Sequence, residues 1–213
     1  AEGRQDLEDT VDRLLRQGLI EEDRESRSDR LAFTSGVVRE SLYASMARRR
    51  RRTLHRRCAE WIERRHAGKE RFWGQLAHHY SQGDVGDKAV EYGLKSARKS
   101  LEAFSSEEAL RSARIALEFL EDEEWEGERW YEGEARMLLA AAYRIEGNID
   151  GALREIERAL KVFERERDVS RVIDTHLAAA ETAWDGRRIE DTRRWVERGI
   201  EVARGTDHPE PLS

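Results

Sequence analysis

The residues best equipped for chemistry are six histidines, one cysteine and a dense run of arginines. His78 and His79 are adjacent, so on a helix their side chains diverge by about 100°. A shared metal would need help from a distant stretch, such as His55 or His66. No H-E-x-x-H or C-x-x-C spacing supplies a further ligand locally, so the histidines read as structural. Cys58 stands among arginines, which would favour its thiolate. It shares a helical phase with Leu54, Trp61 and Ile62, however, and reads as a buried apolar residue. A single cysteine leaves no internal disulfide framework and no four-cysteine zinc site. Ser28, Asp29 and the histidines form no arrangement of nucleophile, base and acid. GDVGDK at 83–88 is too short for a phosphate-binding loop and lacks the closing Ser or Thr, so it reads as a turn. The expectation is no catalytic residue, no cofactor and no metal.

Arg48 to Arg52, Arg56, Arg57, Arg64 and Arg65 lie within 18 residues. A basic helix is one route to nucleic-acid binding. Five consecutive residues cover about 500° of helix, so the run encircles the helix instead of striping it. Trp61, placed on the apolar face, offers no stacking platform. The competing reading pairs the arginines with acidic surfaces of neighbouring helices. Net charge is −6 and the isoelectric point about 5.7, which gives the whole chain no generic attraction to nucleic acid.

The elements that must position these residues are helical. The 213 residues are 38% hydrophobic and 39% charged with 2 Pro, a balance that fits helices with one solvated face and not disorder. No run of about 18 apolar residues occurs, so no membrane span is expected, and a cytoplasmic location fits. The chain opens at Ala1 with a polar stretch and no signal peptide, which reads as a fragment excised from a longer protein.

Leu7, Val11, Leu14 and Leu15 mark a helix over 6–17, and Gly18 is the expected stop. Leu19 and Ile20 start an extended segment, DRESRSDR at 23–30 is turn-like, and Leu31 and Phe33 suit a second strand. Helix, strand, loop, strand and helix make the back half of a winged helix. The helix before the wing carries Asp6, Glu8, Asp9 and Asp12 against Arg13 and Arg16, so phosphates would repel it. From Gly36 to His66 the pattern is helical with a bend near Arg48. Val37, Leu42 (or Ser41), Met46, Leu54, Cys58, Trp61 and Ile62 form its apolar face. Further helices are expected over 70–82, 86–104, 106–121, 126–146, 149–166, 168–186 and 189–204, with a fraying tail over 206–213.

The strongest pattern is LAAAYRIEGNIDGALREIERAL at 139–160. Small residues at Ala140, Ala152 and Ala159 let two helices approach. Leu139, Tyr143, Ile149 and Ile156 fill their seam, and Gly147 ends the first helix. These residues and spacings resemble the tetratricopeptide repeat. Sliding by 40 residues places Ala179, Ala180, Ala183, Ile189, Thr192, Val196, Gly199 and Ile200 on the same template, with Gly186 one place early. Sliding back by 43 places Ala97, Ala109, Ala113, Ala116 and Leu117. The fold implied is mainly α, an α-α superhelix of tetratricopeptide-like hairpins behind a small partial winged helix. Its parts are a partial winged helix over 1–48, a helical linker over 49–85, about three repeats over 86–205 and a disordered tail over 206–213.

FTSGVVRESLYASMARRRRRTLHRRCAEWIE at 33–63 resembles the segment that joins winged helix to tetratricopeptide arm in bacterial multidomain signalling ATPases, including MalT-like, cyclase-associated and Ser/Thr-kinase-associated regulators. Phe33, Val37, Val38, Arg39, Glu40, Tyr43, Ser45, Arg50, Arg51, Leu54 and His55 carry the match, and Ser35 stands where that family has a histidine. The resemblance implies a non-catalytic regulatory and protein-interaction arm whose parent carries an upstream ATPase, cyclase or kinase domain. In such an arm the first helix of each pair lines the concave groove. By repeat phase the groove residues are Glu91, Leu94 and Arg98, then Glu134, Met137, Leu138, Ala141 and Arg144, then Asp174, Leu177, Glu181 and Trp184. Trp184 is the expected anchor, since large aromatics dominate binding hot spots. The expected partner is a protein or another domain of the parent chain. A nucleic-acid module using the winged helix and Arg48–Arg57, and a self-associating scaffold using Trp184 and Trp195, are the alternatives.

Overall fold

The computed structural model describes residues 2–22, 31–122 and 124–207. The chain divides into two compact units, Ala1–Arg51 and Arg52–Ser213. The segment 23–30 and the tail beyond Asp207 lie outside the described residues, as do the expectations made for them.

The first unit holds α1 (Glu2–Arg16), β1 (Ile20–Glu22), β2 (Leu31–Phe33) and α2 (Gly36–Ser45). Gly18, at φ +64°, ends α1 and turns the chain into β1. The strands pair antiparallel with Ile20 opposite Phe33 and Glu22 opposite Leu31. Thr34 ties the turn down by donating from Oγ1 to the Gly18 carbonyl at 2.7 Å. Ser35 caps α2 by accepting from the Val38 amide at 3.5 Å. The bend expected near Arg48 is a full break at Met46 and Ala47, where Met46 turns to ψ 135°. The apolar face expected for α2 is not buried: Val37 is 74% exposed and Leu42 47%. Among the described residues of this unit α2 packs on β2, and one three-residue strand is too small to cover a helix face.

α3 (Arg48–Arg65) leads into the second unit. There a 3₁₀ turn at Glu70–Phe72 opens α4 (Trp73–Gln82). It is followed by α5 (Gly86–Glu102), α6 (Ser106–Leu120), α7 (Trp130–Ile145), α8 (Ile149–Arg165), α9 (Val169–Asp185) and α10 (Ile189–Asp207). α10 runs through Asp207, beyond the expected start of the tail. α7 begins at Trp130, not near 126. Trp125 lies against Gly127, and Arg129 Nη1 donates to the Leu120 and Asp122 carbonyls at 3.4 and 3.5 Å, which holds this loop outside the helix.

From α4 to α10 the helices are joined so tightly that each folds back on the last, except across the longer loop between α6 and α7. Five connections repeat one three-residue turn, at 83–85, 103–105, 146–148, 166–168 and 186–188. In each the middle residue is left-handed: Asp84, Phe104, Gly147, Arg167 and Arg187, at φ 55–74°. In each the third amide reaches back five residues, as Asn148 does to the Tyr143 carbonyl at 2.9 Å. This is the Schellman ending, which satisfies the last carbonyls of the helix. Gly186 does not supply the left-handed residue; Arg187 does. Gly186 is small because a Cβ there would stand 2.8 Å from Ile149 Cγ2.

The core is a seam of alanines. Ala89, Ala97, Ala109, Ala113, Ala116, Ala135, Ala142, Ala152, Ala159, Ala179 and Ala183 are fully buried. Small side chains bring the axes close, and Leu94, Leu120, Leu139 and Ile156 fill the spaces between. α5 packs most closely on α6, α7 on α8 and α9 on α10, and α5 also touches α7. In α10, Ile189, Val196 and Ile200 remain 57, 42 and 44% exposed, whereas the corresponding α8 residue Ile156 is 1% exposed. α9 covers that side of α8, while among the described residues nothing packs beyond α10. No described helix is long and apolar enough to cross a membrane.

Candidate functional site

The groove residues read from the sequence fall on α5, α7 and α9, and two ion pairs join those helices in series. Arg98 on α5 pairs with Glu134 on α7. Arg144 on α7 donates from Nη1 to Glu181 on α9 at 3.1 Å, and its Nε lies 3.5 Å from Asp185. The three helices therefore present one continuous face. Glu91 is half-buried and held by Lys95 at 2.7 Å and Lys88 at 3.3 Å. Burial pushes its carboxyl up, but those two lysines outweigh it and leave its pKa lowered. Met137 is half-buried and packs into the core beneath the face. Asp174 is exposed, Leu177 is 57% exposed and Trp184 63%.

A groove of ≈ 600 Å³ opens on this face. Val90, Leu94 and Arg98 of α5 form one side, and Trp125, Trp130 and Tyr131 the other. Trp130 and Tyr131 stack with ring centroids 4.0 Å apart, and the Arg171 guanidinium covers Trp130 at 4.2 Å. The Trp125 indole N–H and Glu134 Oε2 are buried without a hydrogen-bond partner. Trp125, Trp130 and Tyr131 were not among the sequence-derived groove residues. They precede or open α7, outside the hairpin template, and only the W-x-x-x-x-W-Y spacing marks them.

The Arg run is partly engaged. Arg51 donates to the Tyr43 carbonyl at 3.4 Å and lies over its ring, Arg52 pairs with Asp84 at 2.9 Å, and Arg56 donates to the Gly83 carbonyl at 3.0 Å. The apolar phase read for α3 holds for Ile62, which is buried, and for half-buried Cys58, but not for Leu54 and Trp61, which are 43% and 56% exposed; Ala59 is buried in their stead. α3 turns its smallest side chain, Ala59, toward the helices that cover it, and this leaves Trp61 outward among exposed Arg57, Arg64 and Arg65. Trp195, expected at an exposed end, is 8% exposed and packs beside His176 with ring centroids 5.5 Å apart.

α3, α4 and α5 meet at Glu63. Its Oε2 accepts from the Tyr80 hydroxyl at 2.6 Å, and its Oε1 accepts from the Tyr92 hydroxyl at 2.6 Å and from Lys88 at 2.9 Å. Burial raises the carboxyl's pKa, but these three donors and the Lys88 charge bring it down to about 2. Both phenols are pushed up, by burial first and by the carboxylate second.

Histidines from the same helices also meet. His55 Nδ1 lies 2.9 Å from His79 Nδ1, and His79 Nε2 lies 3.5 Å from Cys58 Sγ. Burial, then the neighbouring His55 and His78, lower the His79 pKa to about 4. Cys58 is half-buried, less enclosed than its apolar neighbours suggested, and burial raises its thiol. His66 stands apart, stacked on Phe72 at 4.1 Å. No protein-family model matches the chain, and no curated protein or solved structure matches it either.

Proposed function

We propose that this chain is a non-catalytic protein-interaction and regulatory arm of a larger signalling protein. Its α5–α10 hairpins act as a tetratricopeptide-like superhelix, and a protein segment binds along α5, α7 and α9. The partner is a separate protein or the parent's own catalytic module. The observation that carries this reading is the groove between α5 and α7, with aromatic walls and Glu91, Lys95 and Arg98 at its rim. An apolar floor with a mixed-charge rim suits a peptide whose side chains anchor while its ends stay solvated. Leu177 and Trp184 on α9 are exposed apolar residues that a longer segment would meet. The test is capture from cell extract with cross-linking from Lys95, comparing wild type with Arg98→Glu and Trp184→Ala. Capture lost in both variants, with cross-links at Lys95, supports the reading. Capture indifferent to both removes it.

A second reading has one observation in its favour. Trp61 is exposed on the same face of α3 as Arg57, Arg64 and Arg65, which is the aromatic-plus-basic combination that single-stranded nucleic acid uses. Fluorescence anisotropy with a single-stranded oligonucleotide at low salt tests it. Affinity that falls steeply with salt and is lost in Trp61→Ala would support it, and absence of binding would dismiss it.

A further inference from the structure

The histidines of α3 and α4 have no part in the interaction reading, yet they converge from two helices on one point. His55, His78 and His79 each offer a ring nitrogen, and the three nitrogens lie within 4.8 Å of one another. Their ring centroids are 5.1, 5.3 and 5.7 Å apart, so the rings surround a shared space instead of stacking. A tetrahedral zinc-class centre has metal–nitrogen bonds of about 2.0–2.1 Å, which separates its ligand nitrogens by about 3.3 Å. The His55–His79 pair needs only to open slightly from 2.9 Å. His78 is exposed, and its ring nitrogen already lies within 4.8 Å of those of His55 and His79.

The surroundings complete the requirement. With Nδ1 of His79 turned to a metal, its Nε2 carries the proton and faces Cys58 Sγ at 3.5 Å. Such an outer partner fixes the tautomer and orientation of a ligating imidazole. A pocket of ≈ 570 Å³ opens onto His78 and His79, with Gln75 and Glu108 also on its wall. It gives an ion a path in and leaves room for a fourth ligand.

We propose that His55, His78 and His79 bind one divalent transition-metal ion of the zinc class, with an exchangeable fourth ligand supplied from the adjoining pocket. Three imidazoles favour zinc, copper, nickel or cobalt over magnesium and calcium, which take oxygen donors. A bound ion would fasten α3 to α4, and because the unfolded chain does not hold the three rings together, binding would stabilise the fold.

The test is titration of the tag-free full chain with Co²⁺ alone, followed by displacement with Zn²⁺. The expected result is intense visible ligand-field bands that saturate at one ion per chain, with a Zn²⁺-dependent rise in Tm. His55→Gln and His78→Gln should each weaken binding on the order of 100-fold, while Cys58→Ser keeps the bands and weakens binding about tenfold. His66→Gln, away from the cluster, should change nothing. His78 is exposed, so circular dichroism of His78→Gln will show retained helix and keep the comparison valid. Absence of saturable bands, or equal affinity in wild type and a His55→Gln/His78→Gln double variant, would overturn the proposal.

Discussion

Arg144 on α7 donates to Glu181 on α9 at 3.1 Å, across 37 positions of sequence. With Arg98 and Glu134, it makes a ladder in which every second helix is linked to the next but one. The pair is exposed, so its own worth is about 0.2–1 kcal/mol. Its importance is geometric, since a left-over carboxylate here faces Asp185 as well. Arg144→Glu would set three carboxylates together. Urea unfolding should show a loss of about 1 kcal/mol at low salt that shrinks in high salt by screening. Arg144→Ala should stay within about 0.5 kcal/mol of wild type.

The repeated turn makes an opposite prediction, a gain from mutation. Phe104 and Arg187 hold φ of 55° and 56°, a conformation that strains a residue with a Cβ, and Phe104 is 79% exposed, so its ring contributes little burial. Phe104→Gly and Arg187→Gly should each raise the unfolding free energy by about 0.5–1 kcal/mol, with Gly147→Ala lowering it by a similar amount. Gly186→Ala should also destabilise, through the 2.8 Å contact with Ile149. Denaturant midpoints of the four variants check the set, and a loss in Phe104→Gly would show that the turn is not strained.

These turns also show where the sequence was legible. Gly147 announced its turn because glycine is the residue that adopts that conformation freely, and Leu139 to Leu160 could be read as a hairpin from there. Arg187, Arg167 and Phe104 take the same conformation under tertiary constraint, so no residue type signalled them. Gly186 pointed to the right place for a different reason, the approach of Ile149. In α3 the periodicity of Leu54, Cys58, Trp61 and Ile62 located Ile62 correctly but not Leu54 or Trp61, because hydrophobicity alone cannot tell which of two adjacent stripes a neighbour will cover. The covered stripe runs through His55 and Ala59. The histidine cluster was hidden by distance: His55 and His79 are 24 positions apart and meet only because α4 lies on α3.

Glu63 gives the fold an acid limit. Its folded pKa of about 2 lies below its ordinary 4.5, so its contribution is fully present above pH 4.5 and fades as pH falls toward 2. Glu63→Gln should lower stability at pH 7 by about 1–3 kcal/mol, since three donors lose an anionic acceptor. It should also flatten the decline between pH 4.5 and 2 relative to wild type. Other lowered carboxyls, such as those of Asp168 and Glu91, remain in both proteins, so the difference between the two pH profiles isolates Glu63. Parallel profiles would rule out this role.

Arg136 poses the harder question of a buried cation. It is 8% exposed and reaches Glu121 at 2.6 Å, Glu132 at 2.9 Å and Glu155 at 3.1 Å, which joins the end of α6 to α7 and α8. Glu155 is itself buried, and its other oxygen takes Arg158 at 2.7 Å. Removing charges from water is costly, so the intact network need not exceed an apolar core of equal volume in stability. Removing the arginine is different, because Glu132 and Glu155 then stay largely buried without it, with only Arg158 left on Glu155 and Glu121 free to reach water. Arg136→Met should therefore cost about 3–5 kcal/mol. The double variant Arg136→Met/Glu155→Leu should recover part of that loss, because the most enclosed carboxylate goes with its partner. Urea denaturation of the wild type, both single variants and the double variant closes the cycle. A cost below about 1 kcal/mol for Arg136→Met, or a double variant no better than it, would mean that water reaches these carboxylates once the arginine is gone and that alanine packing alone holds α6, α7 and α8 together.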